Sequence, residues 1–188
     1  MSDNLAQQAP RRLLTPKQAD TVQRLTEAGV EEVRQSGYEG LSIRDVARRA
    51  GVAAATAYTY FASKDHLFTE IFWRRLDALP PVDVGAGPAR ERLATVLREL
   101  ALLVSEEPGL AAGCTAAMFG SEPDVHQLRL YIGTKIRQRI EAAAGGGTPA
   151  ARLLEHAYYG AMVEAGFGYT TYEHMADQLA EAVSLIME

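Results

Sequence analysis

Apolar residues recur every three or four positions along most of this chain, and no stretch alternates in the manner of a strand. The first stripe is Val22, Leu25, Gly29 and Val33. Thr15 and Pro16 open it: the threonine caps, the proline takes the first helical position, and Gln18 completes a capping box. Gly29 costs about 1 kcal/mol of helix propensity against alanine, so close packing on another helix is its expected role. Gly37 ends the helix, and Tyr38 is expected to pack inward just beyond it. Ile43, Val46, Ala47 and Ala50 then form a short second stripe. Ser42 begins it as a cap, with Asp45 three residues on. Gly51 follows where a helix end needs positive φ. Val52 turns back inward, and a second short helix is predicted over 53–61.

Ser63 caps a helix over 64–79 whose buried face is Leu67, Ile71 and Leu76. Pro80 and Pro81 stop it, and residues 80–88, PPVDVGAGP, read as a loop. A helix over 89–106 carries a wide stripe of Leu93, Val96, Leu97, Leu100, Leu103 and Val104, which Pro108 and Gly109 break. A shorter helix spans 110–119 and ends at Gly120. Ser121 caps the next, with Asp124 at its third position, running to about 144. Gly145, Gly146 and Gly147 stop it. A long apolar helix covers 149–169, and Thr170 with Glu173 boxes a last one ending near 187. The sum is an all-α chain of about nine helices without an internal repeat. The expected division is a disordered arm at 1–14, a helix-turn-helix domain at 15–79 that includes the linking helix 64–79, and a second helical domain at 80–188.

The two short helices joined by a glycine turn suit a pair crossing steeply, the second laid into a major groove. Arg44, Arg48 and Arg49 lie off the apolar stripe of the first. The net charge of −5 over 188 residues argues against nucleic acid until its distribution is read. Residues 1–79 hold eleven Lys/Arg against ten Asp/Glu, a balance of +1, and residues 80–188 hold eight against fourteen, a balance of −6. A near-neutral reader with an acidic partner domain predicts modest non-specific affinity and dependence on a dimer. Arg11 and Arg12 sit in the polar arm, a solvated tail or a basic arm reaching phosphates.

Other chemistries find no footing. A single cysteine, Cys114, forms no internal disulfide and fits a small buried hydrophobe in a reducing compartment. His66, His126, His156 and His174 fall on different helices, without metal-ligand spacing. The triple glycine lacks the following lysine of a phosphate loop. The start, MSDNLAQQAP, is polar, and no apolar run nears the ~18 residues of a membrane span. Expected, then, are a cytoplasmic location, no membrane partner, no cofactor, no metal and no catalysis.

The run Tyr58-Thr59-Tyr60-Phe61, then Ser63-Lys64-Asp65, then Leu67-Phe68, resembles the signature of the tetracycline-repressor (TetR) family of transcriptional regulators. The resemblance covers residues 17–76. It implies a recognition helix presenting Ala54, Ala55, Thr56 and Thr59 to the groove of double-stranded DNA. Tyr58 and Tyr60 would approach phosphates, with core aromatics as the alternative reading. Lys64 would meet phosphate from the next helix, or serve as a plain surface lysine. Ser42 and the N–H groups beside it suit a phosphate, and Arg44 a phosphate or a guanine edge. Two residues depart from the family's pattern. Ala53 replaces a capping serine or threonine, and Ala57 replaces a larger aliphatic. Alanines and threonine methyls touch thymine methyls but cannot read guanine, so readout leans on Arg44, Thr59, phosphate positioning and DNA shape.

The resemblance also implies a ligand-binding and dimerisation domain, with a homodimer through the last two helices. Tyr158, Ala161, Ala165 and Gly168 on one helix, and Leu179, Val183 and Ile186 on the other, fit such a seam or a monomer core. Candidates to line an effector pocket are Leu100, Val104, Met118, Phe119, Tyr131, His156, Tyr159, Met162, Val163 and Phe167. That lining suits a hydrophobic or aromatic small molecule. The implied function is a ligand-released repressor on a palindromic operator, the ligand favouring a geometry in which the recognition helices no longer match one DNA turn of ~34–36 Å. The alternative is a small-molecule-binding helical protein with weak or degenerate DNA specificity, suggested by the alanines of the recognition helix.

Overall fold

The computed structural model describes residues 14–85, 87–120 and 122–187. The arm with Arg11 and Arg12, and the cap expected at Ser121, lie outside the described residues. Within them the chain folds into nine helices and no strand: α1 (Pro16–Gly40), α2 (Ile43–Arg49), α3 (Ala54–Tyr60), α4 (Lys64–Ala78), α5 (Ala89–Ala101), α6 (Pro108–Met118), α7 (Pro123–Ala144), α8 (Pro149–Gly166) and α9 (Tyr172–Ile186).

Caps set most of these starts. Thr15 Oγ1 accepts from Gln18 N while Gln18 Oε1 accepts from Thr15 N, a reciprocal box at the head of α1. Ser42, Ser63 and Thr148 accept from the third residue of α2, α4 and α8. Gly37 breaks α1 at φ 68°, after which the chain resumes helical form to Gly40 and brings the Tyr38 ring edge-on to Phe68, 5.3 Å between centroids. Gly29 allows α4 to approach α1: a Cβ there would stand 2.9 Å from Leu67 Cδ2.

Four boundaries differ from the periodicity, the simplest being α8, which ends at Gly166 rather than near 169. α5 stops at Ala101, and residues 102–106 turn, with Ser105 N donating to Leu102 O and Glu107 N to Val104 O. The apolar stripe continues through that turn because Leu102, Leu103 and Val104 still pack on the core. Pro108 and Gly109 open α6 rather than break its predecessor, since a first helical residue needs no N–H. Thr171, not Thr170, caps α9 by accepting from His174 N.

α1, α2 and α3 form the N-terminal bundle, and α4 runs from it into the second bundle, where it packs on α6 and α7. α5 lies against α7 and α9, and α8 against α7 and α9. One continuous core joins Leu25, Ala57 and Leu67 to Leu97, Leu154 and Met175. Tyr158, Ala165, Leu179 and Val183 are buried within a single chain, so most of the seam residues fill the monomer core. No helix among the described residues is long and apolar enough to cross a membrane.

Candidate nucleic-acid interface and helical cavity

The turn between α2 and α3 is closed by backbone alone. Ala50 N reaches Val46 O, Val52 N reaches Ala47 O, and Gly51 holds φ 65° between them. Arg24 of α1 donates to Ala50 O at 3.2 Å, and Arg49 bonds Glu32 and Gln35, so α1 buttresses the end of α2 where the turn begins. At the head of α2 the Ser42 hydroxyl accepts from Asp45 N and donates to Asp45 Oδ2 at 2.5 Å. That bond, and then Arg48, hold the Asp45 carboxyl below the ordinary carboxylate range.

α3 is seven residues long and anchored by Ala57, which is completely buried. Each CH₂ a larger aliphatic would have buried there forgoes roughly 0.8 kcal/mol. Ala53 at the cap makes no side-chain hydrogen bond, leaving the first N–H groups of α3 to solvent or a ligand. The outward face is Ala55, Thr56, Tyr58 and Thr59, all exposed, with Ala54 and Tyr60 half-buried at its edges. Tyr58 is 49% exposed and so is no core aromatic, whereas Tyr60 packs against the core. Thr59 Oγ1 donates back to Ala55 O, which turns its methyl and lone pairs outward.

The cations around this face differ in freedom. Arg44 is exposed and makes no hydrogen bond or ion pair among the described residues. Arg48 pairs with Asp45 at 2.5 Å. Lys64 is neither free nor a plain surface lysine: its Nζ donates to Tyr38 O at 3.2 Å, sits 4.0 Å from the centre of the Tyr38 ring and 3.7 Å from Glu39. It clamps the end of α1 to the start of α4, and so places its charge beside the reader.

A second feature lies in the helical body. A cavity of about 130 Å³ is walled by Thr69 and Phe72 of α4, Cys114 and Met118 of α6, Arg129, Ile132, Gly133 and Ile136 of α7, and Tyr158, Tyr159 and Met162 of α8. Of the ten residues expected at a pocket, Met118, Tyr159 and Met162 line it. Leu100 and Val104 are buried in the core beside α5 instead. Tyr131 points to Trp73, 6.3 Å between rings, and Val163 is half-buried off the wall. Phe119 and Phe167 stack on the surface, 5.9 Å apart, and His156 is exposed near Arg137 and Glu155. The misses by one position have a common reason: neighbours on a helix point about 100° apart, so Ile132 and Met162 face the cavity where Tyr131 and Val163 do not. The missed wall was legible as a stripe, since Arg129, Ile132, Gly133 and Ile136 repeat at helical spacing. Burial pushes the Cys114 thiol up to about 12, so it is a packing residue and not a nucleophile. Among the described residues no group of three His, Cys, Asp or Glu could hold a metal ion.

Fold and site together define a helix-turn-helix DNA-binding transcriptional regulator whose N-terminal helices share one core with the helices that follow. The family described as bacterial regulatory proteins, tetR family, matches residues 25–71. An uncharacterised HTH-type transcriptional regulator of Mycobacterium tuberculosis is 41% identical over 175 residues, 91% of this chain and 82% of that one. The transcriptional repressor KstR of Rhodococcus jostii is 32% identical over 130 residues, 68% of this chain and 60% of that one. The crystal structure of a TetR transcriptional regulator from Rhodococcus sp. RHA1 superposes with a TM-score of 0.73 at 23% identity, covering 92% of this chain and 98% of the other. The chain belongs to the tetR family of bacterial regulatory proteins.

Proposed function

We propose that the chain is a ligand-released repressor that binds a palindromic operator as a homodimer, acts in the cytoplasm and catalyses no reaction. Residues 15–79 serve as the reader and residues 80–188 as the ligand-binding and dimerisation domain. One observation carries the reading most: α3 buries a single alanine and leaves Ala55, Thr56, Tyr58 and Thr59 exposed, and Arg44 of the preceding helix is exposed as well. Ser42, Tyr58, Tyr60 and Lys64 meet phosphate or sugar in this scheme, Ala54, Ala55, Thr56 and Thr59 face base edges, and Arg44 reaches a guanine edge or a phosphate.

Two further features support the rest. Leu153, His156 and Gly160 of α8 and Phe167 at its C-terminal cap stay exposed, as does Leu185 of α9 at 69%. Uncovered apolar residues on and just beyond the last two helices suit a second copy of the chain. The apolar cavity between α4, α6, α7 and α8 suits a hydrophobic or aromatic effector, and α4 runs from its wall straight into the reader. An effector that favours one setting of α4 over another shifts the spacing of the paired recognition helices.

Capture of genomic fragments by the purified chain, with and without candidate ligands, tests this. Enrichment of one palindromic site that the ligand abolishes is the expected result, and no enriched site overturns it. The seven-residue, uncapped α3 favours one other reading, a ligand-binding protein of degenerate DNA specificity. A salt titration on specific and random duplexes separates the two, because only a specific reader keeps a large affinity ratio as salt rises.

A further inference from the structure

Among the cavity residues Tyr158 stands apart. Its side chain is 1% exposed, and its hydroxyl has no hydrogen-bond partner among the described residues. Burial raises its pKa far above the ordinary tyrosine value, and Tyr159, Tyr172 and Cys114 nearby add to that, so the phenol stays neutral. A buried hydroxyl without a partner is costly in an interior where nearly every such group is satisfied. The Tyr159 hydroxyl, beside Gly133, is also without a hydrogen bond among the described residues, but its side chain is only half-buried and so open to water, whereas the remaining polar groups of the wall are engaged. Thr69 Oγ1 donates to Asp65 O at 2.7 Å, and Cys114 Sγ lies 3.8 Å from Phe68 O. Arg129 is the one cation of the wall, but its Nη1 donates to Ala117 O, Met118 O and Gly120 O at the end of α6. A carboxylate at this wall would have to draw that guanidinium off the helix end.

Size narrows the ligand further. The cavity measures about 130 Å³. An apolar cavity of ~150 Å³ stays dry and takes up benzene. Phe72, Met118, Ile132, Ile136 and Met162 supply an apolar wall of the same kind here.

We propose that the effector is an uncharged molecule of single-ring size carrying one hydroxyl or carbonyl, and that Tyr158 is the group that bonds its polar atom. The proposal rests on the ligand-released regulator described above and names the ligand class of its cavity.

The test uses the full chain free of DNA, with Tyr158→Phe, and three probes: phenol, toluene and benzoate. Binding is followed by calorimetry and by the shift in Tm. An apolar cavity with no polar partner prefers toluene, because burying phenol's hydroxyl unbonded is unfavourable. The expected result is phenol bound about fivefold tighter than toluene, the gain of one net hydrogen bond, with benzoate weaker than phenol. Tyr158→Phe should raise the Tm of the ligand-free chain, keep toluene affinity and bring phenol to the level of toluene or below. The swap conserves volume, and circular dichroism verifies that the variant folds. Equal binding of phenol and toluene by the unaltered chain overturns the proposal, as does an unchanged phenol preference in the variant. Benzoate as the tightest probe makes Arg129 the anchor and also overturns it, and no binding by any probe removes the site. Release of operator DNA by phenol is scored separately. A chain that binds phenol through Tyr158 yet keeps its DNA disproves ligand-released repression and leaves the Tyr158 anchor standing.

Discussion

Gly113 of α6 lies against the ring of Phe68 of α4 so closely that a Cβ at position 113 would stand 2.7 Å from Cδ1 and 2.8 Å from Cγ. The contact lies between the N-terminal helices and the cavity. Phe68 meets the Tyr38 ring on its reader side, while Cys114, the next residue of α6, lines the cavity. Gly113→Ala forces a methyl into a rigid ring and should cost about 2 kcal/mol of stability. Gly29→Ala crowds the tip of Leu67 and touches Ile71 Cδ1 at 3.4 Å, both side-chain ends, and the alanine returns up to about 1 kcal/mol of helix propensity, so its net change should stay within about 1 kcal/mol. Urea midpoints of both variants at a fixed protein concentration decide this. Equal losses would mean that Phe68 yields as easily as a leucine end.

Glu107 joins three elements. This buried residue at the cap of α6 accepts from Arg34 of α1 at 3.1 Å and from Arg75 of α4 at 2.5 Å, while Arg75 also donates to Leu103 O. Removing the carboxylate leaves the Arg75 guanidinium, 28% exposed, without its counter-charge. Glu107→Ala should therefore cost about 3 kcal/mol, the low end for breaking a buried pair. Arg34 is half exposed, and Arg34→Ala should cost at most about 1 kcal/mol. Thermal and urea denaturation of both would read the difference, and a Glu107 loss no larger than that of Arg34 would place the pair effectively in solvent.

His66 predicts a pH response. It lies edge-on to Phe61 beneath the reader, 5.5 Å between rings, and burial lowers its pKa from 6.5, against the opposing carboxylates of Asp124, Glu70 and Glu122. The folded chain therefore binds a proton less readily than the unfolded one. Stability is full above the unfolded value and falls as pH drops from about 6.5 towards the lower folded pKa. His66→Gln should flatten the stability profile between about pH 7 and pH 5 relative to the unaltered chain. A profile with the same slope in both would assign the response to other groups.

The sequence revealed elements with strong local signals and missed those set by tertiary contact. Thr15, Ser42, Ser63, Gly37 and Gly51 act where their chemistry required. The end of α5 was not legible, because Leu103 and Val104 continue an apolar stripe whether the backbone is helical or turned. The turn after α5 sets Glu107 beside Arg34 and Arg75, and nothing local reports a partner 73 residues away. The cavity was half legible for a similar reason. A periodic stripe separates inside from outside, but it cannot say which inward residues meet other side chains and which meet a void. Leu100 and Tyr158 are equally buried, and only the second lines the space.

Base and phosphate contacts can be separated on the reader itself. Arg44 is exposed and unpaired among the described residues, and its long fork can reach a guanine edge or a phosphate. Lys64 carries its charge next to Tyr38 and Glu39 at the start of α4. Arg44→Ala should lower affinity for the operator about tenfold while leaving random duplexes nearly unchanged, within the ~1–3 kcal/mol that one bidentate base contact discriminates. Lys64→Ala should weaken operator and random duplex alike and flatten the dependence of binding on salt, as loss of one phosphate contact does. Because Lys64 also clamps Tyr38 to α4, circular dichroism of that variant must first show an intact fold. Anisotropy titrations at three salt concentrations give both quantities. If the two variants lose affinity equally on every duplex, Arg44 reads no base, and specificity on this face comes from DNA shape and from α3 alone.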